Sequence, residues 1–276
     1  VLEQRIRYSY DAPVTDLRQW LRVVPPLRHG SQRRRAWDLT VSGVPSSQLR
    51  TSTDDHGNLT VRADVPLVED SVEFVVRVEA DVDTDASARP HRTAPDRRYL
   101  ESTALTAADD RIARLARSGD PALISADVHA ALAYEWGITG VHTTAATALA
   151  GGRGVCQDYA HIMLAACRSV GLPARYVSGH LVGEGGSHAW VEVLRPAPGQ
   201  SGRWVAEGWD PTHDRRTDAS YLVIAVGRDY ADAAPMWGSY EGDGVNSTLS
   251  VDKRLSVPRA APESIATLAG AAASPA

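Results

Sequence analysis

Gly151-Gly152-Arg153-Gly154-Val155-Cys156-Gln157-Asp158-Tyr159-Ala160-His161 runs from a glycine-rich loop into an apolar stretch, with a cysteine at the junction. The stretch continues through Ile162, Met163, Leu164, Ala165 and Ala166 to Val170, where Gly171-Leu172-Pro173 supplies a helix stop: a glycine at the C-terminus and a proline just beyond it. The reading is a buried helix with Cys156 at its start. Aligned peptide dipoles place roughly half a positive charge at such a terminus. That field favours thiolate over thiol, and the thiolate is the nucleophile. The preceding glycines let main-chain N–H groups approach a substrate carbonyl, where they can hold an oxyanion. Cys167 lies deeper in the same helix among Leu164, Ala165, Ala166 and Val170 and reads as a small core residue. Eleven residues at helical rise separate the two cysteines by roughly 16 Å, too far for a disulfide. Both are expected to be free thiols in a reducing compartment, and the expected location is cytoplasmic.

A thiolate nucleophile needs a base brought to it by the fold. Downstream, Ser187-His188-Ala189-Trp190-Val191-Glu192-Val193 opens an apolar strand on a histidine, just after the loop containing Gly183, Gly185 and Gly186. Further on, Trp209-Asp210-Pro211-Thr212 puts a carboxylate at the end of the next strand, where it can fix the imidazole tautomer and stabilise imidazolium. Alone, a histidine is often a satisfied core residue and Asp-Pro often starts a turn. In the order helix, strand, strand, Cys156, His188 and Asp210 read as nucleophile, base and orienting acid. Trp190 and Trp209 flank the histidine and the aspartate, and Tyr159 shares the first helical turn with the cysteine. These three are the candidate substrate contacts, against the simpler reading of strand aromatics as core. Asp158 near a helix N-terminus is favourable helix chemistry in itself.

Four segments, 152–161, 171–179, 187–193 and 209–212, resemble the bacterial transglutaminase-like superfamily, as does Ile224-Ala225-Val226-Gly227-Arg228-Asp229-Tyr230-Ala231-Asp232. Tyr8-Ser9-Tyr10-Asp11-Ala12-Pro13-Val14 resembles the start of the β-rich domain that precedes this core in many bacterial members. The resemblance implies an α+β, papain-like core with the nucleophile helix packed against an antiparallel sheet. It also implies catalytic roles for Cys156, His188 and Asp210. The match weakens over 133–144, where substrate contacts would otherwise be carried over.

Outside these blocks, 6–10, 39–41, 59–62 and 71–78 alternate or are β-branched and are separated by Gly43-Val44-Pro45 and Asp55-His56-Gly57-Asn58, the pattern of an antiparallel sandwich or sheet. Segments 109–116 and 128–136 read as helices, with Asp127 as N-cap of the second. Strands are expected at 175–182, 189–194, 204–207 and 221–226. The expected organisation is a β-rich domain over 1–95, with a linker at about 84–96, a transglutaminase-like core over 96–259, and a disordered tail over 260–276 rich in Ala, Pro and Ser.

The chain has 276 residues, 43% of them apolar, and carries a net charge of −5 with acids and bases interspersed. That balance speaks against nucleic acid as a partner, and Arg33-Arg34-Arg35 reads as a solvated loop. No apolar run is long enough to span a bilayer. His161, His180 and His213 with Cys156 lack the tight local pairs of a zinc site, and no EF-hand-like loop is present. The expectation is therefore an enzyme without metal or other cofactor, acting on a peptide or protein amide. Hydrolysis through a thioester is the first reading. Transfer to a primary amine, as in a transglutaminase or amide ligase, is the second, and a non-catalytic partner-binding scaffold the third.

Overall fold

The computed structural model describes residues 1–83 and 95–257, so most of the expected linker and the whole expected tail lie outside the described residues. The first half contains β1 (Leu2–Tyr10), β2 (Val14–Leu21), β3 (Arg28–His29), β4 (Gln32–Val41), β5 (Arg50–Thr53), β6 (Leu59–Val68) and β7 (Ser71–Val82). The second half runs α1 (Asp110–Leu115), α2 (Pro121–Ala131), β8 (Ala133–Tyr134), α3 (Ala145–Gly151), β9 (Arg153–Gly154) and α4 (Cys156–Ser169). It continues with β10 (Ala174–Leu181), β11 (His188–Pro196), β12 (Trp204–Asp210), β13 (Arg215–Arg216), β14 (Tyr221–Gly227) and α5 (Tyr230–Ala233). The last strands are β15 (Met236–Glu241) and β16 (Ser247–Leu255).

Two antiparallel sheets form the sandwich, in the orders β16-β1-β7-β4-β3 and β15-β2-β6-β5. Alternation builds it: Leu2, Ile6, Val72, Phe74, Val76 and Val78 turn inward, and the residues between them face outward. One boundary needs correcting. Residues 236–255, assigned from sequence to the core, return as β15 and β16 to pair with β2 and β1. Strand pairing at this separation leaves no local signature, so the sequence pattern could not place it. Arg33, Arg34 and Arg35 lie within β4 rather than in a loop. The helix expected over 128–136 starts earlier and stops sooner. Asp120, not Asp127, caps α2 by accepting from Ala122 N–H at 2.8 Å, with Pro121 in the first turn.

The core sheet is antiparallel, in the order β13-β12-β11-β10-β14, and α4 packs on its β10 and β11 strands. From Asp158 to Arg168 every residue of α4 is buried, because α1, α2 and α3 cover the side the sheet leaves open. Arg168 keeps its charge there by donating to Tyr99 O, Thr106 Oγ1, Ala174 O and Arg228 O. The outer edge of β14 is sealed by side-chain amides of the sandwich. Gln32 bonds both N–H and C=O of Val223 at 2.8 and 2.9 Å, and Asn58 does the same for Val226 at 2.8 and 2.7 Å. Each amide continues the ladder as a further strand would and removes a sticky edge. Among the described residues, no helix is long and apolar enough to cross a membrane.

Candidate active site

Cys156 is the first residue of α4, half-buried. Its position is fixed from below by Asp158, whose carboxylate accepts from Val155 N–H at 2.8 Å and from Thr139 Oγ1–H at 2.6 Å. Burial raises the Asp158 pKa. The loop before the helix must pass close to that carboxylate: a Cβ on Gly154 would lie 2.7 Å from it. In the first turn of α4 the Asp158 and Tyr159 N–H groups bond Val155 O, which leaves the N–H groups of Cys156 and Gln157 without an acceptor in the helix. Cys167 is fully buried, and burial pushes its thiol up to about 12, in line with a core role.

His188 begins β11 and is 3% exposed. Its Nε2 donates to Asp210 Oδ2 at 2.7 Å, and its other face meets Cys156. Burial works against the imidazolium, but hydrogen bonds to Asp210 and Cys156, together with their charges, raise its pKa to about 10. The ring is held in place by Trp190, stacked at 6.1 Å, and by Tyr221 at 6.1 Å. Trp190 lies across Gly179, where a Cβ would fall 2.5 Å from the indole, so this strand position takes only glycine.

Asp210 is completely buried at the end of β12 and has five donors. Oδ2 accepts from His188 Nε2, His213 Nδ1 at 2.8 Å and Tyr221 OH at 2.7 Å; Oδ1 accepts from the main-chain N–H groups of Thr212 and His213. Burial opposes its charge. The His188 hydrogen bond and charge, with the bonds from Tyr221 and His213, outweigh this and hold the carboxyl far below the usual carboxylate range. The Asp-Pro turn and the bond to His188 thus coexist: the turn itself delivers two of the donors. Glu184 closes the network, with Oε2 at 3.3 Å from His188 Nδ1 and Oε1 at 3.2 Å from His213 Nε2.

The structure brings Cys156, His188 and Asp210 together and corrects the three aromatic candidates. Trp190 is 1% exposed and lies in the core against Tyr221 and Val177. Tyr159 is buried and donates to Leu132 O. Trp209 packs against the core and under Arg216. None of the three lines the cleft. Alternation along a strand puts Trp190 on the same face as His188, so it supports the imidazole from behind. Tyr221, His213 and Glu184 went unread as site residues; only His213 had a signal, three residues after Asp210 in an Asp-Pro turn. Of the histidines weighed for zinc, His161 is buried in α4 and accepts from Tyr230 N–H, and burial lowers its pKa to about 4. Among the described residues one set, His188, Asp210 and His213, offers metal-ligand atoms within 4.8 Å of one another. Those atoms are the ones already hydrogen-bonded within the network, so a cation would have to displace two N–H donors from Asp210.

The cleft over Cys156 has a volume of about 1210 Å³. Its lining includes the exposed segment carrying Tyr134, Trp136 and Val141, and Gln4, Arg22 and Val23 from the sandwich. Residues 121–207 match the transglutaminase-like superfamily, and residues 2–83 match the bacterial transglutaminase-like N-terminal region. The chain thus carries a transglutaminase-like core preceded by a bacterial transglutaminase-like N-terminal region. An uncharacterized protein of Mycobacterium leprae is 40% identical to this transglutaminase-like chain over 165 residues, covering 52% of this chain and 56% of that protein. An uncharacterized protein of Mycobacterium tuberculosis is 35% identical over 139 residues, covering 46% and 44%. The chain thus spans about half the length of the curated relatives it matches. A solved structure provisionally described as a cysteine protease of Cytophaga hutchinsonii superposes with a TM-score of 0.62 at 20% identity, over 94% of this chain and 92% of that one, and shares the fold.

Proposed function

We propose that the protein is a cysteine-dependent amide hydrolase that works through a thioester on Cys156, with a peptide or protein amide as substrate. The observation that carries this reading is the placement of His188 between Cys156 and Asp210. Sγ of Cys156 adds to the amide carbonyl, and the oxyanion is met by first-turn N–H groups of α4. The C–N bond breaks as His188 Nδ1 gives its proton to the leaving amine. Water then adds to the thioester and gives a proton back to His188. The C–S bond breaks, leaving the acid product and the free thiol. Asp210 holds the tautomer throughout. A broad cleft with an exposed wall admits water and favours hydrolysis over transfer to an amine.

The test is a screen of amide peptides with the wild type and Cys156→Ala, with and without a primary amine, read by mass spectrometry. Acid products in both conditions, abolished by Cys156→Ala, are expected. Amide products in the presence of amine would replace hydrolysis with acyl transfer. No turnover, with Cys156 alkylated by iodoacetamide no faster than an ordinary thiol, would leave the scaffold reading.

A further inference from the structure

A large apolar side chain left in water is ordinary when it stands alone, but several on one concave surface mark a place that a partner covers. Five line the cleft over Cys156: Tyr134, Trp136 and Val141 on one segment, and Leu249 and Val251 on β16. Trp136 is the barest of them, at 81% exposed. Both segments are fixed to the reacting residues. In the first, β8 pairs with β9 just ahead of the nucleophile, Glu135 N–H donates to Gly154 O at 2.9 Å, and Thr139 donates to Asp158 in the first turn of α4. Trp136 lies between the last two of these anchors, so its backbone is held while its indole stays in solvent. In the second, Leu249 and Val251 pair with Tyr8 and Ile6 of β1 and, two residues apart, share one face of the strand. Further along β16, Lys253 Nζ donates to Gly186 O, in the loop that leads into His188. One apolar stretch is thus tied to the loop of Cys156 and the other to the loop of His188.

We propose that these two stretches bind a large apolar side chain, aromatic or aliphatic, that the substrate carries next to the amide attacked by Cys156. The inference rests on the reading of Cys156 as nucleophile, and it makes Trp136 and Leu249 specificity-determining residues. The occupant is the substrate because the apolar surface is continuous with the cleft over the thiol. An apolar group seated there removes exposed apolar area from water, its own and the cleft's, and gains free energy in proportion. The charged groups of the same lining already have partners: Glu184 lies against His188 and His213, and Arg22 against Asp54. A carboxylate on the substrate would meet Glu184, and an ammonium would have to draw Glu184 away from its two histidines. An apolar side chain leaves all of these pairs in place.

The experiment uses chloroacetamides whose nitrogen carries a benzyl, isobutyl, methyl, carboxymethyl or aminoethyl group, each rate divided by the rate of the same probe with glutathione. Alkylation of Cys156 is read by intact mass in the wild type, in the double variant Trp136→Ala/Leu249→Thr, and in Leu67→Ala, which trims an exposed leucine of β6 outside the cleft. In the wild type the benzyl and isobutyl probes should outrun the methyl probe by about tenfold, the gain from burying roughly two methylene groups. That ratio should fall towards one in the double variant and persist in Leu67→Ala. Because probes are compared within each variant, a change in folding or in thiol reactivity does not imitate lost recognition. Apolar probes no faster than methyl, a charged probe fastest in the wild type, or an apolar preference that survives the double variant overturns the proposal. So does a dimer that shields Cys156 from every probe and is dissolved by the double substitution, since the occupant would then be a second copy of the chain. Unreactive N-benzylacetamide and N-methylacetamide, tested for binding to Cys156→Ala by ligand-observed NMR, judge the surface even if Cys156 proves inert. Preferential binding of the benzyl compound, lost when Trp136→Ala/Leu249→Thr is added, supports it, and equal binding of the two compounds removes it.

Discussion

Two buried carboxylates on neighbouring strands of the core sheet each hold a histidine at 2.7 Å, and they do opposite things with it. Glu192, on β11, grips His29 from the sandwich, but it also takes two bonds from Arg175, with Nε at 2.7 Å. A permanent cation satisfies that carboxylate, and the cluster ties the two halves of the molecule together. Asp210, on β12, makes no ion pair with a guanidinium among the described residues, and Arg215 reaches it only through the Tyr221 hydroxyl; its direct partners are His188, His213, that phenol and main-chain N–H groups. The charge it carries therefore goes to an imidazole, and that imidazole faces Cys156. Pair geometry alone does not make a reactive histidine. The supply of competing cations decides whether a carboxylate–histidine contact is a clamp or a proton-handling device.

The sharpest way to break this comparison is to exchange each acid for its amide. Asp210→Asn should lower turnover by about 10³–10⁴-fold, because the neutral amide neither fixes the tautomer nor balances imidazolium. Glu192→Gln should leave the Cys156 alkylation rate of the folded protein near wild type. It strands the buried Arg175 charge and should cost about 3 kcal/mol of stability, read as a fall in the urea midpoint. Loss of chemistry from Glu192→Gln, or retained turnover in Asp210→Asn, would reverse the assignments of clamp and site.

The pH dependence separates the two clusters further. His188 is raised from its ordinary value to about 10 by Asp210 and Cys156 against the opposition of burial. A raised histidine contributes stability that is complete below its unfolded value near 6.5 and is lost as pH climbs through about 10. The proton needed by the leaving amine follows the same limb, so acylation should hold from neutral pH and fall above about 10. Asp210 is depressed, so its contribution is present above about pH 4 and disappears as pH falls below that. In Asp210→Asn the alkaline limb of the acylation rate should move down by more than one pH unit. A limb unmoved in that variant would mean that Asp210 does not hold the imidazolium.

How far these roles could be read in advance depended on how local their signals are. Cys156 was legible because a glycine loop entering an apolar helix leaves its mark within a few residues; Asp210, which alone reads as the start of a turn, stood out only beside the cysteine and histidine segments. The return of β16 to β1 was not, since Leu249 and Val251 on an exposed edge strand look like any alternating segment until their partners are known. The aromatic candidates failed for another reason. Sequence gives the type of side chain but not its depth, and Trp190 and Tyr159 were spent on the scaffold beneath the imidazole and the helix. Tyr221 reaches Asp210 from a strand whose pattern, Leu222-Val223-Ile224-Ala225-Val226, is purely apolar. Tyr221→Phe removes one of the three donors on Oδ2 and should reduce turnover by about tenfold, with the alkaline limb displaced slightly upward as less of the Asp210 charge is shared.

Glu184 gives the smallest and most discriminating test. It sits between Gly183, at φ +93°, and Gly185, and about a third of its side chain is exposed. Its carboxylate lies 3.3 Å from the His188 nitrogen that Asp210 leaves free. A third carboxylate there supports imidazolium, yet it occupies the face across which His188 passes its proton in the proposed reaction. Half-exposed ion pairs of this kind contribute about 0.2–1 kcal/mol, so Glu184→Gln should change turnover by less than about fivefold. The direction carries the information. A small loss, with the alkaline limb shifted down, makes Glu184 a further support of the charged histidine. A gain in turnover, with unchanged iodoacetamide labelling of Cys156, would mean that Glu184 blocks His188 until substrate moves it aside. The Asp210 cluster would then differ from the Glu192 clamp in a second respect, by carrying a removable partner where the clamp carries a permanent one.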